Sequence, residues 1–264
     1  MRSILFQKGA LAAIVAVPLV LVGCGGDSVT GASPSEGGTT LVRVAHLSPD
    51  APPVDVLVNG ARVVNGAAFG DATGYLALPA GSARIQVVPS GASSPVVIDA
   101  TLDLGSGVAY TVAATGLLGA GDLKPIVLVD DLDTTGNRAK VRFVHASPDA
   151  PSVDIAASGS ATIGGAPSLP ASIPGPGQIP STTAQSAAGT QATVLFPNVA
   201  FREAKGYLPI EGGSYDLEVR PAGSTAVALR VPDVSVRNGA NYTIFAIGRL
   251  GNGSLTALAV PDAR

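Results

Sequence analysis

A fifteen-residue block occurs twice in this chain, as VRVAHLSPDAPPVDV from Val42 to Val56 and as VRFVHASPDAPSVDI from Val141 to Ile155. Ten of the fifteen positions are identical at an offset of 99 residues, and both histidines of the chain lie inside the block. An internal repeat of this length sets the organisation before any strand is assigned. Further along the offset changes. Phe69, Gly74-Tyr75-Leu76 and Pro89-Ser90-Gly91 match Phe201, Gly206-Tyr207-Leu208 and Pro221-Ala222-Gly223 at 132 residues, as do Gly107, Tyr110-Thr111 and Asp130 with Gly239, Tyr242-Thr243 and Asp262. Two copies that agree at both ends and differ by one insertion of about 33 residues are two domains, 41–131 and 140–264. The polar stretch between them is short, which predicts domains arranged end to end.

Each copy reads as short segments separated by Gly, Pro, Asn and Asp, with no capped apolar pattern long enough for a helix. In the first copy the candidate strands are 41–46, 54–58, 62–65, 74–78, 82–88, 96–103, 108–115 and 125–129. Ala83-Arg84-Ile85-Gln86-Val87 and Tyr215-Asp216-Leu217-Glu218-Val219 alternate apolar with polar, the period of a sheet with one buried face. The fold class expected is all-β, two tandem β-sandwich domains of immunoglobulin-like type, with a small barrel as the alternative. Gly-x-x-Tyr-Thr at 107 and 239 would set a tyrosine at the start of a late strand, as at a sandwich corner. The insertion, at about 159–193, lies in a stretch without Asp, Glu, Lys or Arg from Ile155 to Phe201 and contains Pro167, Pro170, Pro174, Pro176 and Pro180. Such a segment cannot continue a ladder and reads as an exposed loop, either for recognition or as tolerated low complexity.

The amino terminus reads as a processing signal over 1–23, with Arg2 and Lys8 ahead of an apolar run too short for a permanent span. Leu21-Val22-Gly23-Cys24 resembles a bacterial lipobox, in which the cysteine is lipidated, and Cys24 is the chain's one cysteine. Ordinary secretory cleavage near Gly23 is the alternative. Residues 24–40, rich in Gly, Ser and Thr, read as a flexible tether. These features predict an extracytoplasmic, lipid-anchored protein of the bacterial outer membrane or cell surface, Gly25 rather than aspartate following the cysteine. Losing Arg2 and Lys8 takes 16 basic residues to 14 against 19 acidic, so no basic stripe is available for nucleic acid.

The one polar constellation present twice is His46, Ser48, Asp50 and Asp55, with His145, Ser147, Asp149 and Asp154. The spacing sets a strand end at the histidine and a proline-fixed turn at Ser-Pro-Asp, followed by the next strand. These residues read as a structural motif in which the histidine donates to a carboxylate or carbonyl and the serine and aspartate bond turn amides. A metal site is the sharper reading, although each copy offers only three strong ligands and the acidic spacing is not that of a calcium loop. Hydrolysis is weaker still, because neighbours on one tight turn align poorly as nucleophile, base and orienting acid.

The two blocks, each followed by Gly-Tyr-Leu and Tyr-Thr, resemble the bacterial domain-of-unknown-function family 4397, common in exported proteins and in tandem. The resemblance covers nearly all of 41–262 and implies an extracytoplasmic sheet domain, with no catalytic residues to carry over. The function expected is that of a non-catalytic envelope lipoprotein, a structural, adhesion or ligand-binding module without cofactor. Its partners would be the membrane, through the lipid, and an envelope polysaccharide or surface protein. A metal-dependent or hydrolytic enzyme using the His-x-Ser-Pro-Asp block is the alternative.

Overall fold

The computed structural model describes residues 37–134, 136–159 and 192–263. The processing signal, Cys24, most of the tether and the centre of the insertion lie outside the described residues. The described chain is all-β. The first repeat comprises β1 (Thr39–His46), β2 (Val54–Val58), β3 (Ala61–Ala67), β4 (Leu76–Pro79), β5 (Gly81–Pro89), β6 (Ile98–Leu104), β7 (Ala109–Thr115) and β8 (Lys124–Asp130). The second comprises β9 (Ala139–His145), β10 (Val153–Gly159), β11 (Thr193–Val199), β12 (Leu208–Ile210), β13 (Gly213–Pro221), β14 (Leu229–Val236), β15 (Asn241–Ile247) and β16 (Thr256–Pro261).

Each repeat is a sandwich of two four-stranded sheets, β4-β1-β7-β8 over β3-β2-β5-β6, and β12-β9-β15-β16 over β11-β10-β13-β14. This order is not the A-B-E-D with C-F-G of a constant-type immunoglobulin domain, so the likeness to that fold extends to the two-sheet architecture alone. In particular β1 lies parallel to β7, Leu41 beside Ala109 through His46 beside Ala114, and β9 to β15 likewise. The alternation at 83–87 holds, with Ala83, Ile85 and Val87 buried and Arg84 exposed. Glu218 departs from it: the carboxylate is buried on the polar face, held between Arg220 and Arg230. Tyr110 and Tyr242 do form corners, their hydroxyls accepting the amide N–H of Gly105 at 3.0 Å and of Arg237 at 3.3 Å.

The expectation of domains end to end is overturned. The sheets β4-β1-β7-β8 and β12-β9-β15-β16 stack face to face, joined by a core of Ala45, Leu47, Ala113 and Leu128 with Val144, Ala146, Phe245 and Ile247. Sheets covered on both faces need no polar side, and β1, β7, β9 and β15 are accordingly buried almost without interruption. Val42 and Val44 fill the first sandwich, while Arg43 and Ala45 alternate onto the junction.

At the junction Arg43 and Arg142 are buried, and each reaches into the other repeat. Arg43 pairs with Asp262 at 2.6 Å and donates to the Pro261 carbonyl at 3.1 Å. Arg142 pairs with Asp130 and donates to the Val129 carbonyl at 2.9 Å. Each guanidinium also bonds the threonine beside it on the parallel strand, Thr111 or Thr243. Those threonines and the tyrosines over which the arginines lie, Tyr75 and Tyr207, donate to the same two carboxylates. Burial pushes both phenols above the ordinary tyrosine range, so each remains a donor.

Removing one member strands a buried charge, so Arg43→Met should lower stability to urea by about 3–5 kcal/mol. The double variant Arg43→Met/Asp262→Asn should cost clearly less than the two single losses together, in a double-mutant cycle by urea denaturation. Strict additivity would show that the pair is not coupled.

Candidate functional site: the repeated histidine turn

β1 ends at His46 because its ladder to β7 stops there, and the turn that follows folds back under the imidazole. His46 Nε2 donates to the Pro52 carbonyl at 3.1 Å, and Nδ1 accepts the Ser48 amide N–H at 3.4 Å. His145 repeats this, with Pro151 at 3.0 Å and Ser147 at 3.3 Å. Both rings are essentially inaccessible, and burial lowers the pKa of each below the ordinary histidine value, against the raising effect of the proline carbonyl. The neutral tautomer with its proton on Nε2 is the one that satisfies both partners.

The serine hydroxyl does not accept from turn amides as its position suggests. It donates to the aspartate of its own turn, Ser48 to Asp50 at 3.2 Å and Ser147 to Asp149 at 3.5 Å. The aspartate in turn reaches far along the chain. Asp50 accepts the amides of Leu118 and Gly119 at 2.8 and 2.9 Å, holding the β7–β8 loop, and Asp149 accepts those of Leu250 and Gly251 at 2.7 and 3.0 Å in the β15–β16 loop. Desolvation, the largest single effect, raises the Asp50 and Asp149 pKa values, but the hydrogen bonds together outweigh it and each ends below the ordinary aspartate value. Those loops turn sharply at Gly116 and Gly248, where a Cβ would lie 2.2 Å from the Asp122 carbonyl oxygen and 2.1 Å from that of Ser254.

Asp55 and Asp154 each tie the end of one strand, β3 or β11, and one further loop. Asp55 accepts from Gly66 at 2.7 Å and Gly91 at 3.0 Å, and Asp154 from Asn198 at 2.7 Å and Gly223 at 2.8 Å. The block therefore gathers the β1–β2, β3–β4, β5–β6 and β7–β8 loops at one end of the first sandwich, and their counterparts in the second. Arg202, in the β11–β12 loop, joins the two ends by bonding Thr115 at 3.1 Å and Asp122 at 3.2 Å in the first repeat. Its backbone adopts φ of 67°, a left-handed conformation that Gly70 holds at the matching position of the first copy. The outcome is one contiguous pole of loops from both repeats.

The insertion leaves from the opposite end. In the first copy the β2–β3 hairpin closes there through Asn59 and Gly60, both at positive φ as a tight hairpin turn requires. The second copy carries the long segment between β10 and β11 in place of that turn.

The aspartates thus converge on backbone amides, each histidine bonds the backbone of its own turn, and the side-chain contact within each turn runs from serine to aspartate. No imidazole nitrogen faces a serine hydroxyl, the contact that nucleophile activation needs. Among the described residues no group of three or more His, Cys, Asp or Glu could hold a metal ion. The block's sequence did not reveal Arg43, Arg142, Asp130 and Asp262 as a set, though all four recur at the repeat offsets. His46→Ala should cost about 1–3 kcal/mol in urea denaturation by orphaning buried partners. Asp50→Ala should cost less, because the freed amides are at the surface and rehydrate; the reverse order would show that the carboxylate carries the turn.

Comparison with known proteins adds the family. No curated protein matches the chain. Among solved structures, a family 26 carbohydrate-binding module of Eubacterium rectale Amy13K, determined with maltoheptaose, aligns at 8% identity over 85% of this chain and 98% of its own, with a TM-score of 0.25, too low to support any statement about fold or ligand. The model of a domain of unknown function, DUF4397, matches residues 40–156 and 179–264, taking in both copies of the histidine block, and the chain belongs to that family as two tandem domains.

Proposed function

We propose that this protein is a non-catalytic module of the bacterial cell envelope, lipid-anchored at Cys24 through a tether and displayed outside the cytoplasm, on the outer membrane or cell surface. It presents its loop pole to a surface partner on a rigid scaffold of two-sheet sandwiches. The observation that carries this reading is the use of the repeated polar residues: His46, Ser48, Asp50, Asp55 and their counterparts are engaged in fixing loops, which leaves a shaped surface and not a reactive cleft. Loops positioned by rigid sheets are a common basis for recognition.

The partner classes are an envelope polysaccharide and a surface protein. Among the described residues every tyrosine and phenylalanine is buried or half-buried, so the pole offers no aromatic platform on which a sugar ring could stack. Its most exposed large apolar side chains are Val96 and Val227, at matching places in the β5–β6 and β13–β14 loops. This composition favours a protein surface over a glycan.

Two measurements test the proposal. Intact mass of protein extracted from membranes should show acyl groups on Cys24 as the first residue; an unmodified chain starting further on would refute the anchor. Purified full chain should bind an envelope surface protein, and Val96→Asp/Val227→Asp should weaken binding about tenfold or more while stability is unchanged. Binding lost instead on deleting 160–190, with the valine variant unaffected, would move the contact to the insertion. Turnover of an ester, peptide or glycoside that disappears with both histidines would replace the module with an enzyme.

A further inference from the structure

The histidine turn has one protonation state that fits it. Nε2 must donate to the proline carbonyl, while Nδ1 must accept an amide N–H from Ser48 or Ser147. A second proton on the ring would sit on Nδ1 and point directly at that amide, donor against donor, in a seat with 1% exposure for His46 and 0% for His145. The turn cannot keep its present bonds and hold an imidazolium. The same turn carries the aspartate that fastens the β7–β8 or β15–β16 loop, and the serine N–H at stake lies two residues from that carboxylate.

We propose that His46 and His145 are a matched pair of acid-sensitive latches, each of which releases its Asp50 or Asp149 loop when its imidazole gains a proton. The device goes beyond the binding reading and does not depend on it, since it concerns the loops themselves.

The charged surroundings set the balance. At His46 the Asp71 carboxylate of the β3–β4 loop favours the cation and opposes the latch, while Asp50 on the same turn is already committed to loop amides. At His145 the neighbouring β11–β12 loop brings Arg202 and Glu203, the latter paired with Lys205, and the ring lies edge-on to Phe201; Asp149 is engaged with its loop and with Arg249. Desolvation outweighs these contributions, and each imidazole has its pKa below the ordinary value of 6.5. The sign follows. The unfolded or opened turn binds the proton more readily, so the closed latch is fully favoured above pH 6.5 and loses that advantage as the pH falls through the lowered native value. Asp50 and Asp149, whose pKa values are shifted down, remain ionised over this range and do not account for the release.

Hydrogen exchange on the full chain in detergent, corrected for the intrinsic pH dependence of exchange, reads the latch directly. Peptides covering 116–123 and 248–255 should lose protection by about tenfold or more between pH 7.5 and 5.0, with β7 and β15 unchanged. His46→Asn/His145→Asn keeps an acceptor where Nδ1 stands but cannot take up the proton, and should show no such change. Full protection at pH 5.0 in the wild type overturns the proposal, as does a loss that persists in the double variant. Should that variant not fold, imidazole resonances of the wild type decide: rings that titrate near the ordinary value while both loops stay protected exclude a latch, and rings that gain protons only as the loops open establish it.

Discussion

The reciprocal exchange of Arg43 and Arg142 between repeats is the constraint on which the rest of this structure depends. Taking an arginine out of water carries a penalty of several kcal/mol, and attraction to one carboxylate offsets it only when the remaining donors are also satisfied. Here they are. Arg43 meets Asp262, the Pro261 carbonyl and Thr111, beneath it lies the Tyr75 ring, and Arg142 has the corresponding set. Each guanidinium is anchored in its own repeat and completed by the other, so neither sheet can turn away without exposing both pairs. An apolar junction of Ala45, Leu47, Phe245 and Ile247 alone would hold the sheets together but leave them freer to slide.

That fixed junction is what gives the histidine turns a common purpose. Because the stacked sheets cannot rotate, the loop ends of the two sandwiches stay side by side, and Arg202 can span from one to the other. The aspartates then act at long range in sequence and short range in space: Asp50 reaches a loop 68 residues away, and Asp149 one 101 residues away. A turn of seven residues between β1 and β2 thereby sets the shape of the pole. The hydrogen bonds are charge-assisted, which makes them stronger than neutral ones and keeps the loops in place at the surface.

Much of the strand layout was legible because it is local. Turn residues and alternation mark β2, β5 and the Tyr110 corner, and the two offsets locate the insertion between β10 and β11. The junction was not legible, because its signal is the absence of a pattern. Arg43 in Val42-Arg43-Val44 reads as one polar residue on a solvated face, and nothing nearby says that this face is covered by another sheet. Its partner Asp262 lies 219 residues on, known beforehand only as a point of alignment with Asp130. The short linker was likewise misleading: it restricts the distance between domains, whereas their orientation depends on which faces are apolar. Within the block, residue types predicted a turn, but neither the serine's role as a donor nor the remote loop held by Asp50 follows from spacing along one strand.

Reciprocity of this kind is what two copies of one surface produce about a two-fold axis. Departures from it occur where the covalent link imposes a direction and at the loop pole. Lys140 and Asn241, which stand where the first copy has Leu41 and Ala109, bond the linker, Lys140 to the Asp131 carboxylate at 2.7 Å and Asn241 to the Asp131 carbonyl at 2.6 Å. Arg202 replaces Gly70 at a left-handed position that favours glycine, and its guanidinium bonds two residues across the junction, Thr115 and Asp122. The matching contact on the other side is Gly70 near Ile247, which has no charge to offer. The shared residues thus determine how the repeats meet, and the divergent ones secure the linker and one side of the loop pole, so the pole that a partner would meet is asymmetric although the junction beneath it is not.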